Sequence, residues 1–305
     1  MTYLNKTKLF ICITVLFLAA NVSKAQLNPL SGIYFQNQYL ANPAMAGKEK
    51  GLILNMGFKK QWSSMVGTPQ TQAFTAEYGS DKKVAFGINI QTEEAGLIKR
   101  SRVMGTYSYL LPLDDGNRKL RLGLSMGVMN ERLMTEQIDG EVNDVTVSRF
   151  NERPAYLDGD FGVAYTSDKL TIQGAIPNLK GFLGKDDING AVDRALFFTA
   201  VSYKFYFPEA FDGLGFEPRL GYRSVHGFNN IIDAGGDISV SNGAAHLTAI
   251  YHSSESATFG LGASIKSLGV ITANYTTATG ALSGYTYGNF ELGIRLHFLK
   301  SKESL

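Results

Sequence analysis

The sequence predicts an all-β protein, a transmembrane up-and-down antiparallel β-barrel of about fourteen strands in an outer membrane. Three observations predict it. Apolar and polar residues alternate with a period of two along almost the whole chain. The links between alternating segments are short at one end of the strands and usually longer at the other. An export leader precedes a chain with no further cysteine.

The leader comes first. Lys6 and Lys8 precede an apolar run from Leu9 to Ala20, and Ser23-Lys24-Ala25 forms a small-x-small cleavage site before Gln26. This is the pattern of a secretory signal peptide over residues 1–25, with an apolar run too short to span a bilayer as a helix. Cys12, the one cysteine of the 305 residues, lies inside that run, so the mature chain is expected to hold neither a lipid-anchored cysteine nor a disulfide. The leader carries Lys6, Lys8 and Lys24 and no acid, so its loss moves the formal charge from +2 to −1. That balance offers no basic field for nucleic acid. A hydrophobic fraction of 44% excludes disorder, yet no later run reaches the ~20 apolar residues of a spanning helix.

The strands follow in order at 51–62, 69–79, 82–92, 98–111, 118–131, 155–166, 169–177, 194–206, 215–224, 230–240, 244–252, 256–265, 268–277 and 286–299. In the first, Leu52, Leu54, Met56 and Phe58 alternate with Ile53, Asn55, Gly57 and Lys59. In the third, Val84, Phe86, Ile88 and Ile90 alternate with Ala85, Gly87, Asn89 and Gln91. In the fifth, Leu120, Leu122, Leu124, Met126 and Val128 alternate with Arg121, Gly123, Ser125 and Gly127. The sixth and twelfth follow suit, and the last sets Phe290, Leu292, Ile294, Leu296 and Phe298 against Asn289, Glu291, Gly293, Arg295 and His297. A two-residue period places one class of side chain on each face of a strand. The segments at 230–240 and 268–277 alternate poorly, so the count carries a margin of two.

After the even strands the links are mostly turn-like, at 80–81, 114–117, 167–168, 242–243 and 266–267, with 208–213 the longest. After the odd strands they are usually longer, notably at 132–154 and 178–193. Short periplasmic turns and long extracellular loops are the habit of outer-membrane barrels. In hydrocarbon every backbone donor and acceptor must find a protein partner, which strands achieve only by closing on themselves. The Leu, Val and Phe face then meets lipid and the polar, glycine-rich face lines the lumen. Tyr107, Tyr109, Tyr203, Phe205 and Phe298 suit the interfacial girdles. A soluble β-sandwich or β-helix is the alternative architecture.

Two stretches resemble a known family. "YFQNQYLANPAMAG" (34–47) is similar to the opening Asn-Pro-Ala-x-x-Gly element of the PorP/SprF family of outer-membrane proteins of the type IX secretion system, here Asn42, Pro43, Ala44 and Gly47. "KKQWSSMVGTPQTQAFTAEY" (59–78) resembles that family's basic-Gln-Trp and Gly-x-Pro-x-Thr-Gln segment, here Gln61, Trp62, Gly67, Pro69, Thr71 and Gln72. Met45 stands where an aromatic residue is common in the family. The resemblance implies a non-enzymatic role in protein export and gliding motility, either in the core machinery or as partner of a secreted surface adhesin with a type IX C-terminal domain. The adhesin-partner branch is the more numerous and is the first expectation.

The residues themselves hold little chemistry. With no mature cysteine, a thiolate metal site is excluded, and His246 and His252, six apart, lack the spacing of a compact metal site. Ser254 or Ser264 near these histidines is the best available start for a hydrolase, without supporting spacing, and no cofactor is implied. Arg121, Asp158, Asp160, Glu291 and Arg295, with Arg219, Arg223 and His297, are expected to face the lumen as a conduit, a docking surface or simply paired wall charges. Glycines at 57, 87, 123, 127, 162, 260, 262 and 293 share that face. They relieve curvature, or they make room for a polypeptide, whether the chain's own 26–49 segment or a partner's. The loop charges Glu136, Asp139, Glu141, Asp144, Lys185, Asp186 and Asp187 are candidate partner contacts.

The expected organisation is a leader (1–25), a periplasmic or lumenal extension (26–49), a barrel (50–300) and a tail (301–305). The expected partners are an exported surface protein, other secretion components and outer-membrane lipid. A FadL-like or porin-like conduit for small solutes is the rival reading, and a barrel-embedded lipid enzyme is the third.

Overall fold

The computed structural model describes residues 32–62, 67–80, 82–115, 117–135, 145–183, 195–225, 229–265, 268–279 and 286–298. The leader, the tail and most charges of the two long loops lie outside the described residues. The strands are β1 (Gly51–Lys60), β2 (Gln70–Gly79), β3 (Val84–Ala95), β4 (Ile98–Pro112), β5 (Lys119–Leu133), β6 (Tyr156–Thr166), β7 (Leu170–Ile176), β8 (Ala195–Tyr203), β9 (Phe205–Phe207), β10 (Leu214–Val225), β11 (Ile231–Val240), β12 (Ala245–His252), β13 (Ser256–Ile265), β14 (Gly269–Thr276) and β15 (Asn289–Phe298).

Every pairing is antiparallel, and β1 pairs with both β15 and β2. The β10–β11 pairing joins the two ends of the strand order, so the sheet closes. Because β8 and β9 both pair with β10, they form one stave interrupted at Lys204, and the barrel has fourteen staves. The sequence segment at 194–206 is therefore a broken strand. The weakly alternating segments at 230–240 and 268–277 are β11 and β14, held in register by stronger neighbours on both sides.

The two faces separate as lipid requires. Ile88, Ile90, Val103, Leu124, Met126, Leu157, Phe161, Leu261 and Leu292 are exposed on the outside. Asn55, Thr75, Asn89, Thr106, Ser125, Gln173, Thr248 and Thr272 are buried on the inside. Since successive side chains of a pleated strand point to opposite faces, a polar inner row and an apolar outer row coexist on one strand. Tyr78, Tyr107, Tyr109, Tyr203, Phe205, Phe216 and Phe298 are exposed towards the short-turn end and ring that rim. Two links at the other end are short, Gly96-Leu97 and 253–255; positive φ at Gly96 and Glu255 lets the chain reverse there.

Ile90, 39% exposed between Phe74 and Val103 on neighbouring strands, sits near the middle of β3. Ile90→Arg is expected to cost about 2–4 kcal/mol, as for a cation on the lipid face near the midplane. The check is the unfolding free energy in lipid vesicles.

Candidate functional site

The lumen is occupied by the chain's own residues 32–48. Two short 3-10 turns, Gln38–Leu40 and Pro43–Met45, shape this segment, which is otherwise irregular. It touches walls on opposite sides of the barrel. Asn37 Nδ2 donates to Thr75 Oγ1 at 3.0 Å on β2. Tyr39 Oη lies 2.6 Å from Thr106 Oγ1 on β4. Tyr34 stacks under the Arg219 guanidinium of β10, 3.1 Å from ring centre to Cζ, and packs on Phe198, Ala175 and Ala200. Gly32 N donates to Glu291 Oε2 at 2.9 Å on β15. The segment starts near the long-loop end at Gly32 and leaves at the short-turn end, where β1 begins.

Arginines hold its backbone. Arg121 donates to the carbonyl oxygens of Ala46, Gly47 and Lys48 at 3.5, 3.3 and 3.3 Å. Arg295 donates to Gln36 O, and its other nitrogen reaches Glu49 Oε1 at 2.9 Å. Glu77 accepts from Gly47 N at 2.8 Å. An irregular segment leaves its own amides and carbonyls unpaired, so a polar wall must satisfy them.

The Asn-Pro-Ala-x-x-Gly element now has a physical reading. Asn42 Oδ1 accepts from Ala44 N at 2.9 Å and so caps the second turn. Its Nδ2 donates to Val163 O, Gln173 Oε1 and Gly174 O at 3.2, 3.2 and 3.3 Å, which ties the turn to β6 and β7. Pro43 opens the turn, where no amide proton is needed. Ala44 is fully buried against Ala164 and Met45. Gly47 has φ +63, which a side chain would strain.

The wall is cut to match. A Cβ at Gly123 would collide with the backbone of Pro43 and Ala44, one at Gly162 with Asn42, one at Gly87 with Tyr39, and one at Gly293 with Ile33 and Thr272. Four of the inward glycines are thus close-approach sites. Gly123→Ala, whose methyl meets backbone, is expected to loosen the segment at a cost of roughly 1–3 kcal/mol. Limited proteolysis of residues 32–48 is the readout, with faster cleavage expected than in the parent barrel.

The second motif is at the opposite end of β1. Gln61 N donates to Pro69 O at 2.9 Å, which closes the β1–β2 hairpin, and Gly96 N donates to Gly67 O at 3.1 Å. Gly67 has φ +70; Trp62, half-buried, has φ +48. Thr71 points inward and Gln72 outward on β2. The structure therefore separates the two motifs: one lies in the lumen, the other at the long-loop rim.

All five predicted wall charges are inward. Arg121 and Arg295 hold residues 32–48 as above. Glu291 also pairs with buried Lys59 at 3.4 Å. Asp158 Oδ1 accepts from Lys180 N at 3.1 Å, and Asp160 Oδ1 from Asn178 N at 3.0 Å and from Arg102. β7 stops at Ile176 and leaves the top of β6 paired with β5 alone, so on the β7 side these carboxylates take the place of the missing ladder.

Sequence reasoning missed one constellation. Arg223 binds Asp233 through two 2.9 Å bonds, Asp233 Oδ1 accepts from His252 Nδ1 at 2.6 Å, and His252 Nε2 lies 2.8 Å from Thr258 Oγ1, itself 2.7 Å from Thr276 Oγ1. The hydroxyl on the imidazole is Thr258 and not Ser254 or Ser264. The Asp-His-hydroxyl order is that of a hydrolase, but His252 and Thr258 are 0% exposed and the hydroxyl already has a second partner. No reacting atom can approach Thr258 in this arrangement, so the network braces five staves, β10 to β14. The sequence marks Arg223 and His252 only singly; Asp233 comes from the strand before His252, and Thr258 from the strand after it. Among the described residues no cluster has the ligands for a metal ion.

Comparison with known proteins gives a family. A family model described as "Type IX secretion system membrane protein PorP/SprF" matches residues 23–296. A search of curated proteins finds no match. Among solved structures, the outer membrane protein Omp33 of Acinetobacter baumannii is 10% identical, with 83% of this chain and 100% of that one covered at a TM-score of 0.48. The toluene transporter TbuX of Ralstonia pickettii is 11% identical, with 90% and 96% covered at a TM-score of 0.49.

Proposed function

The chain belongs to the PorP/SprF family of type IX secretion membrane proteins and is an outer-membrane barrel; from that premise we propose that it works by binding an exported surface protein and supporting its secretion or retention. The observation that carries this reading is the occupied lumen. A solute conduit of the porin or FadL kind needs a clear path, whereas here residues 32–48 bond to the wall on β2, β4, β5, β6, β7, β10 and β15. A barrel filled by its own chain acts through its rims. At the long-loop rim β4 and β5 run 15 residues each, beyond their neighbours, and Asn151 clasps the tip of β5 by bonding both Leu133 N and Leu133 O, at 2.7 and 3.0 Å. Rigid hairpins carrying charged loops suit recognition of a large partner. The client in this reading is an adhesin with a type IX C-terminal domain, and gliding motility is the process it serves.

The test is to recover the tagged barrel from its native membrane under mild detergent. One large exported surface protein in stoichiometric amount is the expected companion. Recovery of the barrel alone, together with solute-dependent conductance, would instead favour the conduit.

A further inference from the structure

The outward faces of the strands are almost free of charge, and the exceptions fall together. Among the charged residues of the described strands, only Lys60, Glu94, Lys99 and Arg132 share the outward parity of the lipid-facing Phe58, Ile88, Val103 and Val128. Register joins them in one row at the long-loop end: Lys60 opposes Gln70, Gln70 opposes Glu94, Glu94 opposes Lys99, and Lys99 opposes Arg132. On the β4–β5 hairpin this row stands above the apolar band, which runs from the Leu111–Leu120 pair up to the Val103–Val128 pair. That stretch covers roughly 27 Å of strand, or roughly 20 Å of height at a tilt of about 40°, close to the height of a lipid-facing band. The Ser101–Asn130 pair comes next, and Lys99–Arg132 follows. Lys99 and Arg132 are exposed, and Lys99 Nζ is held 2.8 Å from Glu94 Oε1. No ion pair engages Arg132 or Lys60 among the described residues. Asn130 is half-buried, and its Oδ1 has no hydrogen-bond partner.

A sheet face that merely stood in water would have no reason to grade from apolar through neutral polar to cationic. One kind of molecule has the same grading: acyl chains, then sugar hydroxyls and amides, then phosphate. We propose that the outer face of the β4–β5 hairpin, with Lys60 lower on the same tilted row, binds a phosphorylated glycolipid of the outer leaflet. Its acyl chains lie along Val103 and Val128, and a sugar hydroxyl or amide N–H donates to Asn130 Oδ1. Its phosphate accepts charge-assisted bonds from Arg132 and Lys99, the latter held in place by Glu94. A plain phospholipid carries its phosphate next to the acyl chains, level with Ser101 and Asn130 and one row short of the cations. The site lies on the outer wall, apart from the filled lumen, and needs only that the long loops face out of the cell.

The test is native mass spectrometry of the full-length protein in mild detergent, titrated with lipid A, with enzymatically dephosphorylated lipid A and with phosphatidylglycerol. The barrel is expected to retain lipid A at concentrations where the other two are lost. Lys99→Gln combined with Arg132→Gln should weaken that retention by about ten-fold or more, the scale of losing a hydrogen bond to a charged group. Lys82→Gln combined with Lys83→Gln, at the short-turn end, should leave it unchanged. Heat-modifiable migration confirms that both double variants still fold. Equal retention of phosphatidylglycerol, lipid A retention indifferent to the loss of Lys99 and Arg132, or no retention would each overturn the proposal. Recovery of an exported client is a separate readout, so the two readings fail separately.

Discussion

Asp233→Ala is expected to be the most destabilising single substitution in the wall, at about 3–5 kcal/mol, the cost of stripping a buried charge of its partner. Asp233 is the hub of its network. It takes both arms of Arg223 at 2.9 Å and Nδ1 of His252 at 2.6 Å, and all three side chains are almost wholly buried. Its removal strips the guanidinium of two bonds and the imidazole N–H of its acceptor, and breaks the brace across β10, β11 and β12. Asp237 provides the contrast. It also meets a histidine, His246 at 3.0 Å, and accepts from Thr248 Oγ1 at 2.7 Å, but the ring is partly exposed, so water replaces its lost acceptor, and the threonine loses only a neutral hydrogen bond. Asp237→Ala should cost less than about 1 kcal/mol. Urea unfolding of the two variants in lipid vesicles, compared with the parent, measures both, and equal losses would mean that the network is not a brace.

The second large effect is on permeability. Deleting residues 32–46 is expected to turn a silent barrel into one that passes ions steadily. The interstrand hydrogen bonds do not involve this segment, and fourteen staves enclose more space than wall side chains fill. The variant loses the burial of Ile33, Tyr34, Tyr39 and Met45, worth about 1.5–3 kcal/mol for each large side chain. It should therefore fold, less stably, around a wet polar lumen. Arg121→Ala, which frees three carbonyls and keeps the segment, should give only brief openings. Planar-bilayer recording distinguishes the three proteins, and a deletion variant that folds and stays silent would show that something else closes the lumen.

The strands were legible because lipid imposes the same rule on all of them. Ile88 and Leu124 must face outward and Asn89 and Ser125 inward, and that constraint is written residue by residue. The break at Lys204 was not legible, since Tyr203 and Phe205 both suit an outward aromatic position and the interruption depends on how β10 pairs with both halves. The lumenal segment has no periodicity to read. Only the family resemblance marked Asn42, Pro43, Ala44 and Gly47, and only the wall contacts explain why those residue types stand in that order here. The Asp233 network was invisible for a related reason. Its members lie on separate strands and meet through register, and no short spacing records register.

Residues 32–48 lie inside the barrel while it sits in the membrane, and crosslinking tests this directly. With Cys12→Ser to remove the native thiol, Asn37→Cys and Thr75→Cys place two thiols where side chains now touch at 3.0 Å. A short bifunctional thiol reagent applied to outer-membrane vesicles should join nearly all copies internally, between segment and wall. Two thiols that each take up a single-headed reagent and never couple would contradict the account.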